Sequence, residues 1–380
     1  MQTTFLVFGL TGDLMKKKGI PALFALWSKK QLPEDFKVVG LSRKEWSPEA
    51  TQKYITDTIK NASDEARAFA GRFTIIQGEV SDKDAYTTLL KAVSGSVLVY
   101  LCVSPEFYAP IIENLSQHAM LKEARVLIEK PFGQDGKSAE ALEEMLASHM
   151  SEEQIFRIDH YLAKEGVLTL VPGMYLPRDI GSIEVYLLEK GGVESRGAVY
   201  DALGCLRDVG QNHLLQMAAL SSGIRRADAL KQLHILSPEE VASHTRRAQY
   251  EGYEHIEGVA PGSQTETYFS LNTALSIPLY EVEIGVTLEA GKALKTARKE
   301  IILRKKDLST IVIPLESKQN EYELLFADAL RGDHAHFVSR EEISLEWAFI
   351  DPILSEWKKG AAPLLHYAPD SDQVRSSNTI

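Results

Sequence analysis

The sequence predicts two domains of different fold class. Residues 1–155 predict an α/β domain with a doubly wound parallel sheet, and residues 156–380 predict an α+β domain. In the first part, short apolar runs alternate with helix-like segments, as parallel strands require. In the second part, several strand-like runs follow one another without a helix between each pair, which favours a mostly antiparallel sheet with helices on one face.

A glycine turn lies between the first strand and the first helix. The apolar run from Thr3 to Phe8 reads as a strand, and a helix-like segment extends from Leu14 towards Lys29. This order is typical of a Rossmann-type unit, in which glycines let backbone N–H groups approach a pyrophosphate at a helix N-terminus. The G-x-x-G spacing alone supports an ordinary tight turn about as well. The candidate pyrophosphate loop consists of Gly9, Leu10, Thr11, Gly12, Asp13 and Leu14.

The end of the second strand bears on cofactor choice. Phe36 to Leu41 reads as this strand, and Ser42, Arg43 and Lys44 follow it. An NAD-selective fold places an acidic residue here to hold the ribose 2′-hydroxyl. Two cations suit a 2′-phosphate instead, so NADP is favoured, with NAD left open. Surface charges at a strand end are the competing interpretation.

The later strands of the first domain provide further cofactor candidates. Segments 73–77, 97–103 and 125–128 read as strands. Open α/β sheets bind ligands at the carboxyl ends of their strands. The candidate residues beyond these ends are Glu79, Val80, Ser104, Tyr108 and Lys130.

The second domain predicts strands at Ile183–Leu188, Thr265–Thr273, Glu281–Leu288 and Glu300–Leu303. The segment after Asp208 has helical spacing.

Two short segments in this part of the chain are rich in ionisable side chains. Residues 157–165 bring together a carboxylate, an imidazole, a phenol and an ammonium, in Asp159, His160, Tyr161 and Lys164. Such a group could hold an anionic ligand and orient a catalytic base; a solvated charged loop is the alternative. The other group lies between Glu189 and Gln216, where His213 follows Asp208 by five residues. A lone helical histidine is more often structural than catalytic.

These motifs resemble those of the glucose-6-phosphate dehydrogenase family, in the same order. Residues 157–165 are similar to its RIDHYLGKE signature. The other similar segments are GDL with the lysines after it (residues 12–18), Gly40 with Arg43 and Trp46, EKPFG (129–133), RDVxQNHLLQ (207–216) and GKxL (291–294). The resemblance implies an NADP-dependent oxidoreductase of glucose metabolism and the pentose phosphate pathway. It would oxidise glucose 6-phosphate at C1 to 6-phosphogluconolactone.

The resemblance also implies residue roles. His213 would be the general base, with Asp159 as its orienting carboxylate. A neutral imidazole accepts a proton at physiological pH, and the carboxylate behind it fixes the tautomer. Lys130 would contact both the sugar and the cofactor. The peptide bond between Lys130 and Pro131 would be cis. The implied sugar-phosphate contacts are His160, Tyr161, Lys164 and Lys292, the ring-hydroxyl contacts are Glu189 and Asp208, and Lys18 would point into the site.

The chain departs from the family pattern in several places. It is shorter than the usual member, and the RFAN and WNR elements between Lys164 and Glu189 are absent. The signature glycine is Ala163, and the second phosphate cation is Ala297, for which Lys295 or Arg298 would have to substitute. A strand segment is also missing after Pro314. The residues implied in hydride transfer are all present. The identity of the substrate and a homodimer formed through the sheet are left open.

Two other functions therefore remain. One is the same chemistry on another sugar or sugar derivative. The other is a catalytically silent NADP-binding sensor or assembly subunit, against which the retention of His213, Asp159 and Lys130 argues.

Composition narrows the class of partners. A net charge of −11 argues against nucleic acid and an anionic membrane. No run of about 18 apolar residues is present, and because a strand-like run begins at Thr3 we expect no signal peptide. Cys102 and Cys205 have neither CxxC nor metal-ligand spacing. We expect no metal, a small-molecule substrate and a cytoplasmic location.

Overall fold

The described part of the chain forms two compact units. The computed structural model describes residues 2–171, 173 and 175–376. The first unit contains the residues up to Phe132, Glu140–Ala163 and Lys318–Arg340. The second contains Gly133–Ala139, Lys164–Ser317 and the residues from Glu341 onward. The two units are therefore interleaved along the chain.

The strands and helices are numbered in chain order. The strands are β1 (Thr3–Phe8), β2 (Phe36–Ser42), β3 (Phe73–Gln77), β4 (Ser96–Leu101), β5 (Arg125–Glu129), β6 (Ile155–Ile158), β7 (Ile180–Leu188), β8 (Thr245–Tyr250), β9 (Tyr268–Ile277), β10 (Val282–Gly291), β11 (Arg298–Lys305), β12 (Thr310–Pro314), β13 (Phe337–Val338) and β14 (Leu364–Tyr367). The α-helices are α1 (Ile20–Ser28), α2 (Pro48–Ile59), α3 (Asp64–Ala70), α4 (Lys83–Ala92), α5 (Tyr108–Gln117), α6 (Gly136–Ala147), α7 (Gly197–Cys205), α8 (Leu215–Ser221), α9 (Arg226–Lys231), α10 (Pro238–His244), α11 (Glu321–Arg331), α12 (Arg340–Lys358) and α13 (Gln373–Ser376). Wide π-helical turns, with hydrogen bonds five residues apart, precede α1 at Met15–Gly19 and α8 at Leu206–Leu214.

The first unit contains the predicted parallel sheet. Its strand order is β13-β6-β5-β4-β1-β2-β3, and only β13 runs antiparallel to its neighbour. Phe8 pairs with both Leu41 and Leu101, and Leu101 pairs with Ile128. The segments that follow β1, β2, β4 and β5 therefore leave the sheet at the same edge. This is the edge at which the sequence placed the cofactor contacts.

A late part of the chain completes the core of this unit. Phe326 of α11 packs against Phe5 at a ring-centroid distance of 5.1 Å and against Tyr100 at 5.5 Å. All three side chains are fully buried. Sequence reasoning did not foresee that residues 318–340 belong with the first sheet, because sequence periodicity carries no information on such distant pairing.

The second unit contains a mostly antiparallel sheet, as predicted. Its order is β12-β11-β7-β10-β9-β8-β14. Two pairings are parallel, β7 with β10 and β14 with β8. The prediction omitted β8, β12 and β14. The wide-turn helix Leu206–Leu214 packs against β7 and β10, and α8 packs against β7 and β11, so one face of the sheet carries the helix with the predicted base.

None of the helices in the described part of the chain combines the length and apolarity that crossing a bilayer requires.

A buried arginine anchors β6 in the first unit. Arg157, 1% exposed, donates from Nε to Glu143 Oε1 at 2.9 Å and from Nη1 to Glu152 Oε1 at 2.8 Å. Glu143 is also buried. Arg157→Met would leave this carboxylate buried without its cation. We expect the free energy of unfolding in urea to fall by about 3–5 kcal/mol.

Arg225→Met provides the control. Arg225 pairs with Asp228 and Glu341 on the surface, where water screens all three charges. We expect little change in the free energy of unfolding. An equally small loss in both variants would contradict the structural importance assigned to Arg157.

Candidate active-site groups

The candidate pyrophosphate loop has a backbone that requires glycine. Gly9 adopts φ +92°, and a Cβ there would lie 2.1 Å from the carbonyl oxygen of Cys102. The Gly12 N–H donates to the Gly9 carbonyl at 2.9 Å, and the Lys16 N–H donates to that of Gly12 at 3.0 Å. The loop thus turns directly into a helix, and the Cys102 backbone leaves no room for a side chain at its start.

The other loop residues divide by exposure. Leu10 is buried, whereas Thr11 and Asp13 are exposed and Leu14 is partly buried. Asp13 forms an exposed ion pair with Lys17 at 3.1 Å. The side chains at 11 and 13 are therefore accessible to a ligand.

The end of β2 presents two exposed cations. Arg43 and Lys44 are both exposed. Ser42 Oγ accepts hydrogen bonds from the Lys44 N–H and from Trp46 Nε1, each at 3.2 Å. The Gly78 N–H donates to the Ser42 carbonyl at 2.8 Å, which places the loop with Glu79 and Val80 beside these cations.

Tyr108 is part of the core. Its side chain is fully buried, and its hydroxyl donates to the Glu129 carbonyl oxygen at 3.0 Å. Burial raises the pKa of Tyr108. Ser104, by contrast, is exposed just after β4. Contact of either residue with a nicotinamide stays a prediction.

Sequence reasoning missed a carboxyl group at the end of β5. Glu129 Oε1 accepts hydrogen bonds from Tyr100 at 2.5 Å and from Tyr322 at 2.9 Å. Burial raises the pKa of Glu129 to about 7, although these phenols and the charge of Lys130 oppose the shift; the charge of Asp159 adds to it. This group therefore titrates near neutral pH beside two predicted catalytic residues. Its position at the end of a buried parallel strand was the available sequence signal.

Lys130 and Asp159 follow the ends of neighbouring strands. Glu129 of β5 pairs with Ile158 of β6 in parallel register. The Lys130–Pro131 peptide bond is cis, as the resemblance implies. Asp159 is 2% exposed, and its Oδ1 accepts the Tyr161 N–H at 3.0 Å.

The signature segment continues as a short turn, His160–Ala163. The rings of His160 and Tyr161 lie 4.9 Å apart between centroids. Lys18, also in the first unit, forms an ion pair with Glu321 at 3.1 Å. This pair connects the helix after the glycine loop to α11.

In the second unit, His213 lies on the wide-turn helix and is 2% exposed. The helix is held at its start, where the Leu206 N–H donates to Glu266 Oε1 at 2.9 Å. It packs so closely on β9 that a Cβ at Gly210 would lie 2.8 Å from the ring of Phe269. Asp208 is half-buried on the same helix. This packing holds the first turns of the helix that carries the predicted base.

Glu189 and Lys292 lie side by side at the ends of the parallel pair β7 and β10. The Glu189 N–H donates to the Gly291 carbonyl at 2.8 Å. Its carboxylate contacts Lys292 Nζ at 2.6 Å and Lys299 Nζ at 2.6 Å. Burial alone would raise the pKa of Glu189, but the two ammonium groups lower it to about 2. The carboxylate is therefore ionised and holds two cations together.

Lys299 was not among the predicted residues. The sequence offered Lys295 or Arg298 as the second cation, but Lys295 is exposed, and Arg298 pairs with Glu300 and stacks on Tyr186, 3.6 Å from the ring centroid. Alternation along β11 puts 298 and 299 on opposite faces, and only 299 shares the face of Glu189. The remaining predicted contact, Lys164, is half-buried at the start of the second unit.

Two protein-family models match consecutive parts of the chain. Residues 6–168 match the glucose-6-phosphate dehydrogenase NAD-binding domain, and residues 172–320 and 312–380 match the glucose-6-phosphate dehydrogenase C-terminal domain. Glucose-6-phosphate 1-dehydrogenase 1 of Mycobacterium bovis is 30% identical, over 92% of this chain and 89% of its own. The Helicobacter pylori J99 glucose-6-phosphate 1-dehydrogenase is 29% identical, over 95% of each chain.

Solved structures show the same similarity. A glucose-6-phosphate dehydrogenase in complex with its substrate glucose 6-phosphate has a TM-score of 0.87 at 25% identity, covering 97% of this chain and 94% of that one. The Mycobacterium avium glucose-6-phosphate 1-dehydrogenase has a TM-score of 0.82 at 27% identity, covering 98% and 95%. The trimmed segments therefore leave the fold intact.

The raised pKa of Glu129 predicts how the stability of the fold depends on pH. Its pKa of about 7 lies above the ordinary glutamate value of 4.5. At a pH between these two values, the folded state therefore retains a proton that the unfolded state has lost. The contribution of Glu129 to folding stability must therefore decline as pH rises from 5 to 8. Glu129→Gln keeps an oxygen for both phenols and cannot ionise. We expect the variant to gain stability relative to wild type across this range, measured by urea unfolding.

Glu113→Gln, on the exposed side of α5, serves as control and should show no such trend. A constant difference between wild type and Glu129→Gln at pH 5 and pH 8 would refute the assignment.

Proposed function

The chain belongs to the glucose-6-phosphate dehydrogenase family, and we propose that it oxidises glucose 6-phosphate at C1 to 6-phosphogluconolactone with hydride transfer to NADP. The observation that carries this proposal is that both family models match, one after the other along the chain. Each model spans one of the two segments rich in ionisable side chains, at residues 157–165 and 189–216.

The chemistry is a coupled loss of proton and hydride. His213 accepts the proton of the C1 hydroxyl while the C1 hydrogen leaves with its bonding electrons, and the C1–O bond becomes a carbonyl. The bound nicotinamide supplies the hydride acceptor. Asp159 orients the imidazole and stabilises its protonated form. Lys130, beside the titrating carboxyl of Glu129, places positive charge near the sugar.

Substrate recognition follows from the same family roles. Ring hydroxyls are bound by Glu189 and Asp208. The phosphate contacts are His160, Tyr161, Lys164 and Lys292, with Lys18 nearby. The ionised state of Glu189 supports its role, because a carboxylate is a strong acceptor for sugar hydroxyls.

Lys299 is the second phosphate cation in this proposal. Its Nζ shares the Glu189 carboxylate with that of Lys292. The two ammonium groups, each 2.6 Å from the one ionised carboxylate, leave a net positive charge at this point of an acidic protein. They replace the cation that Ala297 does not provide.

The chain binds a nicotinamide cofactor through its NAD-binding domain, and we favour NADP over NAD. Arg43 and Lys44 are exposed at the strand end that would face a ribose 2′-phosphate. The remaining cofactor contacts would be residues 9–14, Ser42, Glu79, Val80, Ser104, Tyr108 and Lys130. We assign cofactor binding to residues 1–155 and the substrate side to residues 156–380. Two free cysteines support a cytoplasmic location.

His213→Asn tests the catalytic role. An amide cannot take up the hydroxyl proton, so we expect kcat for NADP reduction with glucose 6-phosphate to fall by roughly 100- to 10,000-fold. NADP affinity, measured by fluorescence titration, should not change. The same assays with NAD test the cofactor preference.

Two results would support the alternatives. Faster turnover of glucose or another aldose than of glucose 6-phosphate by the wild type would indicate a different sugar substrate. Absence of turnover with every sugar, together with NADP binding that His213→Asn leaves unchanged, would indicate a sensor or subunit.

Lys299→Met tests the second cation. Loss of a charge-assisted hydrogen bond should raise the KM for glucose 6-phosphate by roughly 10- to 100-fold, with less effect on glucose, which lacks the phosphate. Arg298→Met is the matched control, because its side chain lies on the opposite face of β11. A larger KM effect for Arg298→Met would reassign the phosphate contact.

A further inference from the structure

A buried carboxylate binds the two glutamines on either side of His213. Glu346 lies on α12 and is 1% exposed. Its Oε1 accepts from Gln216 Nε2 at 2.7 Å, and its Oε2 accepts from Gln211 Nε2 at 3.2 Å. Gln211 and Gln216 are themselves buried. All four residues belong to the second unit, and none of the motifs read from the sequence included Glu346.

These bonds determine how the glutamines are oriented. A carboxylate oxygen only accepts hydrogen bonds, so each amide must turn its Nε2 towards Glu346. Gln216 Oε1 has no hydrogen-bond partner among the described residues. The orientation of the Gln216 amide is therefore set by Glu346 rather than by a second partner.

The helix needs such external fixing. A wide turn is rarer than a regular α-helical turn and is frequent at functional sites. Gln211 lies two residues before His213 and Gln216 lies three residues after it. Tethers on both sides of the imidazole restrict rotation of the helix about its own axis. Burial of a carboxylate is costly unless it is hydrogen-bonded, and the two amides supply such hydrogen bonds to Glu346.

We propose that Glu346 is a positioning residue for His213: through Gln211 and Gln216 it fixes the rotation of the wide-turn helix and so the direction of the imidazole. This inference rests on the proposed function in assigning His213 as the base. It predicts that loss of Glu346 lowers turnover more than it lowers substrate affinity.

The test compares Glu346→Leu with Glu346→Gln. Leucine removes both tethers, and we expect kcat to fall by roughly 10- to 100-fold, as a misplaced catalytic group produces, with the KM for glucose 6-phosphate little changed. Glutamine offers one oxygen and one NH₂ group, and Gln216 can turn its oxygen towards the latter. Glu346→Gln should therefore retain kcat close to wild type.

Glu342→Leu is the matched control. Glu342 lies one turn earlier on α12, is also buried, and accepts from Arg226 Nε at 2.9 Å. Its loss breaks a comparable contact to α9, which does not carry His213. We expect a similar fall in Tm with kcat retained. Equal kcat losses for Glu342→Leu and Glu346→Leu at equal Tm would overturn the proposal.

Two further measurements keep the test decisive. If Glu346→Leu does not fold, Gln216→Met removes only the shorter tether and should still lower kcat; unchanged kcat would count against the proposal. The NMR signal of the His213 imidazole, assigned by its absence in His213→Asn, should shift in Glu346→Leu and not in Glu342→Leu. Because this signal needs no turnover, an inactive wild type would refute the proposed function while the signal still decides the role of Glu346.

Discussion

Parallel strand pairing is the constraint on which the candidate chemistry depends. Neighbouring parallel strands end at the same edge, so the residues after them are brought together whatever their distance in sequence. In the first sheet this places Gly9, Ser42 and Glu129 at one edge. The second sheet is mostly antiparallel, yet its β7–β10 pair is parallel, and it ends in Glu189 and Lys292.

Buried charge accompanies this arrangement in both units. Arg157, the first residue of the signature segment, lies between two glutamates, and Glu346 lies between two glutamines on either side of His213. Each of these groups is hydrogen-bonded on more than one side, which offsets the cost of removing a charge from water. Neither is part of the predicted chemistry. Both hold the backbone next to it, so precise placement depends on polar contacts as well as on apolar packing.

Sequence reasoning predicted those features that local pattern determines. The strands β1 and β3, the glycine loop and the mostly antiparallel second sheet follow from periodicity and turn residues, and the structure confirms them. The cofactor candidates came from their positions at strand ends, and the catalytic and substrate roles came from motif resemblance. What escaped prediction depends on distant parts of the chain: the phenol of Tyr322 on Glu129 and the carboxylate of Glu346 behind His213. Lys299 was within reach, because strand alternation separates it from Arg298.

The interleaving of the chain has a consequence for its synthesis. Phe326 of α11 fills the core of the first unit against Phe5 and Tyr100, yet the ribosome adds it long after the parallel strands β1 to β6 have emerged. Domains generally fold as units while the chain is being made. Here the nascent nucleotide-binding part must wait, with an apolar surface uncovered, until most of the second unit has been translated. This surface is therefore exposed to chaperones and to aggregation while residues 164–317 are being translated.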